Sequence, residues 1–151
     1  MKLTEQYPEV LGIHDMVVHN YGPGNTIASF HAEVDGKENV FLTHDVIDTL
    51  ERQLWAELGI RATVHMDPIV TDDERVNQLK EKVLEVVHGV DERLRIHDFR
   101  FVEGHTHSNL IFDMEVPFEI TDSDEELRQM VSAAIREWDS HNFTVITVDR
   151  Q

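Results

Sequence analysis

The sequence predicts an α+β chain built from two tandem copies of one small sandwich, each a three-stranded sheet with helices on one face. Three observations predict it. The Ile-His-Asp triplet at residues 13–15 returns at residues 96–98. Strand and helix periodicities follow both triplets in the same order. At a shift of 82 residues, Phe30, Glu33 and Val34 fall on Phe112, Glu115 and Val116, while Val64 and Asp67 fall on Ile146 and Asp149. The boundary is expected between residues 1–69 and 70–151.

In the first unit, residues 13–20 alternate around Val17 and Val18. Gly22, Pro23, Gly24 and Asn25 supply turn chemistry. Residues 26–34 alternate again, with Ala28, Phe30, Ala32 and Val34 on one side, which predicts a β-hairpin. After a polar loop at 35–39, Ile47, Leu50, Leu54 and Leu58 recur at helical spacing. Gly59 then stops the helix, and residues 61–67 resume strand periodicity.

The second unit opens with Thr71 and, three residues later, Glu74, the spacing of a capping box. Val76, Leu79, Val83 and Val86 predict a helix face over residues 72–87 that ends near Gly89. Strands follow at 95–102 and 109–116. A Ser123–Glu126 box starts a helix carrying Leu127, Met130, Ala134 and Trp138, and residues 143–149 close as a strand. The triplet repeats at a shift of 83, so the second hairpin turn should be one residue shorter than the first. Trp55 and Trp138 are expected near the apolar seams of their helices, in core packing.

The helix at 72–87 has no counterpart ahead of the first triplet, so the first copy is expected to lack most of its first helix. Residues 2–6 are its expected last turn, and the chain is expected to be a piece of a longer protein. A sheet without one of its covering helices leaves apolar side chains wet.

Thirteen Lys and Arg against thirty Asp and Glu give a formal charge of −17. That charge repels phosphate backbones and anionic lipid and concentrates cations at the surface, so nucleic acid is not an expected partner. There is no cysteine, which excludes disulfides and thiolate sites and leaves any metal to nitrogen and oxygen donors. No apolar run approaches the ~18 residues of a membrane span, and the N-terminus lacks a signal-peptide core; the chain as given is expected to be soluble.

Ten histidines are present. Strand parity puts Ser29, His31 and Glu33 on the face opposite Phe30 and Ala32, and Thr63, His65 and Asp67 on the face opposite Val64 and Met66. Both polar rows point away from the helices. A His and a carboxylate two residues apart on one side of a strand offer a neutral nitrogen and an oxygen to the same ion, which suits Zn²⁺ or, with less discrimination, Mn²⁺ or Fe²⁺. His65 and Asp67 form the sharpest such pair. His105 and His107 sit in a predicted turn where polar residues are expected anyway, and His88 suits a helix C-terminus. No serine lies in a G-x-S-x-G context and no glycine-rich loop leads from a strand into a helix, so no enzyme activity is expected.

The segments "YPEVLGIHDMVVHNYGPG", "ASFHAEVD", "THDVIDTLERQL" and "ATVHMDPI" resemble the cytosolic C-terminal domain of cation diffusion facilitator transporters. The resemblance covers the first unit. It implies a ferredoxin-like, metallochaperone-like αββαβ fold, a homodimer, an upstream transmembrane domain in the same protein that exports divalent cations, and regulatory metal ions bound on the cytoplasmic side. It places metal ligands at His14, His31, His44, His65 and Asp67, with Zn²⁺ first and Mn²⁺ or Fe²⁺ as alternatives. Strand parity sets His14 beside Met16 and Val18, away from the polar face, so His14 and His44 rest on the resemblance alone. The second unit resembles a diverged copy in which Asp113 replaces His31 and Thr147 replaces His65. Only His97 and Asp149 keep ligand chemistry there, which does not suit a zinc site of the same composition; a packing module is expected, with a harder, oxygen-rich site as the alternative. The expected function is a regulatory and dimerisation module of a divalent-cation efflux transporter, with bound ions offsetting repulsion between acidic subunits. The alternative is a purely structural dimerisation module.

Overall fold

The structure, a computed structural model, describes residues 4–151. The chain divides into two compact units, residues 1–69 and 70–151. The class is α+β, as the periodicities predict.

In the first unit β1 (Gly12–Asn20), β2 (Thr26–Asp35), α1 (Val40–Leu58) and β3 (Ile60–Ile69) follow a 3₁₀ turn at Thr4–Gln6. The turn expected at residues 2–6 lies partly outside the described residues. β1 runs antiparallel to β2, and β2 runs parallel to β3. A parallel pair needs a crossover, and α1 supplies it, laying Ile47, Leu50 and Leu54 on Phe30 and Ala32. Asn39 caps α1 by accepting from the backbone N–H groups of Phe41 and Leu42, and Gly59 ends it at φ 64°, where a side chain would be strained. Leu58, expected on the buried seam, is exposed in the last turn of α1.

In the second unit α2 (Asp73–Val90) precedes β4 (Arg95–Glu103), β5 (Ser108–Val116), α3 (Asp124–Trp138) and β6 (Asn142–Arg150), paired in the same senses. Two helices cover this sheet. Val83 and Val87 of α2 and Leu127, Val131 and Ile135 of α3 join Phe101, Leu110, Phe112 and Met114 in one core. Among the described residues the first unit has no helix in the place α2 fills in the second, and Val18, opposite Ala28 on the helix side of the sheet, is exposed.

The structure corrects three local expectations. The N-cap of α2 is Asp72, not Thr71: its carboxylate accepts from the N–H groups of Glu74 and Arg75, one residue nearer than the box spacing assumed. The buried stripe of α3 runs through Leu127, Val131 and Ile135, so Met130 and Trp138 face outward; i, i+4, i+8 steps fit this face where i, i+3, i+7 steps were expected. Trp55 is likewise half-exposed, with the Arg61 guanidinium 5.2 Å from its ring centroid, a contact that shields an indole without burying it. The Ser123–Glu126 capping box is complete in both directions. The hairpin turn is indeed one residue shorter in the second unit.

Both Ile-His-Asp triplets do the same thing to the backbone. Asp15 and Asp98 hold φ 53° and 52°, and the pairing register slips between His14 and Val17 and between His97 and Arg100. Each slip is a β-bulge in which two residues face one across the ladder. Asp tolerates the left-handed conformation better than most residues because its short side chain bonds locally.

Candidate metal centre

The bulge decides where His14 points. Up to the bulge, Gly12, Ile13 and His14 stand opposite Glu33, Ala32 and His31. After it the register resumes with Val17 opposite Ser29. The extra residue inverts the parity that alternation extrapolates back from Val17, so His14 shares the polar face with His31 instead of the face of Val18. The expectation that set His14 apart is corrected by this insertion.

In β2 and β3 the two polar rows are in register: Ser29 opposite Thr63, His31 opposite His65 and Glu33 opposite Asp67. The parallel pairing therefore lines up imidazoles with imidazoles and carboxylates with carboxylates. His14 Nδ1 lies 3.0 Å from Glu33 Oε2, and its Nε2 lies 2.9 Å from Asp67 Oδ2. His31 Nδ1 is 2.9 Å from the same Asp67 oxygen, and His65 Nε2 is 3.1 Å from Asp67 Oδ1. The rings form a row, with centroids 4.8 Å apart for His14 and His31 and 4.7 Å for His31 and His65. Ligand atoms of His14, His31 and Asp67 all lie within 4.8 Å of one another, close enough for one cation.

The row is graded in depth. The His14 side chain is 8% exposed and that of His65 is 68% exposed, so the site opens outward along the ring row. Gly12 makes the deep end possible: a Cβ there would stand 3.0 Å from Glu33 Oε2. His44 lies elsewhere, exposed on α1, where its charge acts on Glu51. Glu33 belongs to the cluster although it was not expected as a ligand. Its signal in the sequence was its place two residues beyond His31 in the same row.

Electrostatics follow from this packing. Burial, the strongest single influence on His14, lowers its pKa. The hydrogen bonds and charges of Asp67 and Glu33 together outweigh it and raise the value to about 9. With both ring nitrogens against carboxylates, His14 is an imidazolium that donates twice. Burial raises Asp67, but hydrogen bonds from His14 and His31 and the charges of His31 and His65 hold it below the usual carboxylate range.

The second unit carries a looser arrangement at the same registers. His97 stands opposite Asp113 as His14 stands opposite His31. Four carboxylates surround it: Asp98 at 3.3 Å, Asp113 and Asp149 at 3.7 Å, and Glu115 at 3.8 Å. Burial first, then the nearby Asp98, pushes the Asp113 carboxyl up against the opposing pull of His97 and Arg100.

No helix among the described residues is long and apolar enough to cross a membrane. Residues 1–69 match the family model described as "Cation efflux protein, cytoplasmic domain". A solved structure described as "Mode of Action of a Putative Zinc Transporter CzrB (Zn form)" is 31% identical; the match covers 44% of this chain and 73% of that one, with a TM-score of 0.38. The search of curated proteins finds no match.

Proposed function

From the premise that the chain belongs, through residues 1–69, to the family of cation efflux protein cytoplasmic domains, we propose that its first unit binds a divalent cation with His14, His31, His65 and Asp67 and so regulates pairing with a second copy. The observation that carries this reading is the convergence of two imidazoles and a carboxylate within 4.8 Å on an open sheet face. Nitrogen-rich borderline donors of this kind suit Zn²⁺ first, then Mn²⁺ or Fe²⁺. The ion takes the place of the His14 proton, so its apparent affinity rises with pH. His44 is outside the cluster, and in this proposal it serves a second ion. The transport reaction and the membrane part belong to the same proposal, and no catalytic role is assigned to the chain.

A metal regulates pairing only if it binds the paired state better than the separate one. At −17 per chain, two copies repel, and a dication between or near them reduces that cost. One observation favours the rival reading of a purely structural module: every carboxylate of the cluster already has an imidazole partner without any metal. Calorimetric titration of Zn²⁺ and Mn²⁺ into the chain, with scattering before and after, separates the two. The proposal expects uptake, loss of that uptake in His31→Ala, and compaction or pairing on loading. No uptake, or uptake that His31→Ala leaves unchanged, favours the structural module.

A further inference from the structure

The second unit differs from the first at the very registers that make the metal centre, and the differences all run one way. Across the two units His14 corresponds to His97, Glu33 to Glu115 and Asp67 to Asp149, while His31 becomes Asp113 and His65 becomes Thr147. One imidazole is kept, one is exchanged for a carboxylate, and one for a hydroxyl. The backbone device that aims the first histidine is kept as well, with Asp98 at φ 52° beside a register slip. His97, Asp98 and Asp113 offer ligand atoms within 4.8 Å of one another, and Glu115 and Asp149 close on His97 from the neighbouring registers.

We propose that the second unit holds its own divalent cation, of a harder kind than the first, on the Nδ1 side of His97, with His97 as the single nitrogen ligand and Asp98 and Asp113 as oxygen ligands, while Glu115 and Asp149 face Nε2 and orient the ring. The class is that of Mn²⁺, which accepts mixed carboxylate and imidazole shells with more than four ligands; soft or tetrahedral demands are not met here. His97 lies 3.3–3.8 Å from its four carboxylates, against 2.9–3.1 Å in the first unit. The shell is therefore wider and less closed by internal ion pairs. The chain would then carry two centres of different preference. This assignment draws on the proposed metal role of the equivalent registers in the first unit, so its test is built to score the two centres separately.

Mn²⁺ alone is titrated into the full chain at ~0.15 M salt, where diffuse attraction to acidic surface is largely screened, and free Mn²⁺ is read by electron paramagnetic resonance. In His31→Ala/Asp67→Asn, which disables the first centre, one Mn²⁺ should still bind. Adding Asp98→Asn and Asp113→Asn should weaken that binding at least tenfold, with far-UV circular dichroism unchanged. The gain-of-function variant Asp113→His/Thr147→His restores the first-unit donor set and should raise Zn²⁺ affinity of the second unit at least tenfold. Absence of Mn²⁺ binding in the first-centre variant, or binding that survives the Asn substitutions, overturns the proposal. Failure of the first centre reads differently, as Zn²⁺ affinity unchanged by His31→Ala/Asp67→Asn.

Discussion

At the scale of single residues the account turns on Asp67, which touches three imidazoles at once. Asp67→Asn keeps the shape and removes the charge. It is expected to lower Zn²⁺ affinity of the cluster by about tenfold or more, as loss of a ligand or of its orienting partner does, while His44→Ala leaves the affinity of that cluster unchanged. His14 carries the pH dependence. Its folded pKa, about 9, lies above its ordinary value of 6.5, so its contribution to stability is fully present below ~6.5 and is lost as pH rises through about 9. In chelator, the thermal midpoint of the metal-free chain should fall between about pH 7 and 10, and His14→Ala should flatten that fall; an identical slope in the variant contradicts the assignment. Period-two alternation was enough to read His31, His65 and Asp67 as one face, because β2 and β3 are regular throughout. It failed at His14, where one inserted residue reverses parity and leaves no mark in hydrophobicity.

At the scale of elements, the bulge is the working part. It needs a residue that accepts φ near 53°, and Asp15 and Asp98 are two such residues in the same setting. Asp15→Gly should keep His14 in place and leave metal affinity within about twofold, since Gly adopts this conformation freely. Asp15→Val should cost stability and metal affinity together, because a β-branched residue is strained at positive φ. Equal isotherms for the two variants would show that the bulge does not aim His14. Capping at Ser123 and the stop at Gly59 were legible because each depends on local chemistry alone. The buried stripe of α3 was not: Met130 and Val131 are both apolar, and only packing against β5 and β6 chooses between neighbouring faces. For the same reason the indoles of Trp55 and Trp138, apolar in composition, turned out at the surface.

At the scale of the whole molecule, charge and repetition set the terms. The order of elements repeats from β1–β3 to β4–β6, and the recurring triplet marks a recurring bulge, which is why a short polar motif stood out against an otherwise ordinary acidic background. With −17 per chain, pairing should be salt-dependent. Without metal, sedimentation should show weaker self-association at ~20 mM salt than at ~300 mM, and Zn²⁺ should reduce that difference. Indifference to both salt and metal removes electrostatic regulation from the account. The central claim, that His14, His31 and Asp67 converge on a cation, is tested most directly by zinc X-ray absorption on the chain loaded with one equivalent of Zn²⁺. The account predicts a nitrogen and oxygen shell near ~2.0–2.1 Å with imidazole outer-shell features that diminish in His14→Ala/His31→Ala. A spectrum of aqueous zinc, or imidazole features untouched by that double substitution, would contradict it.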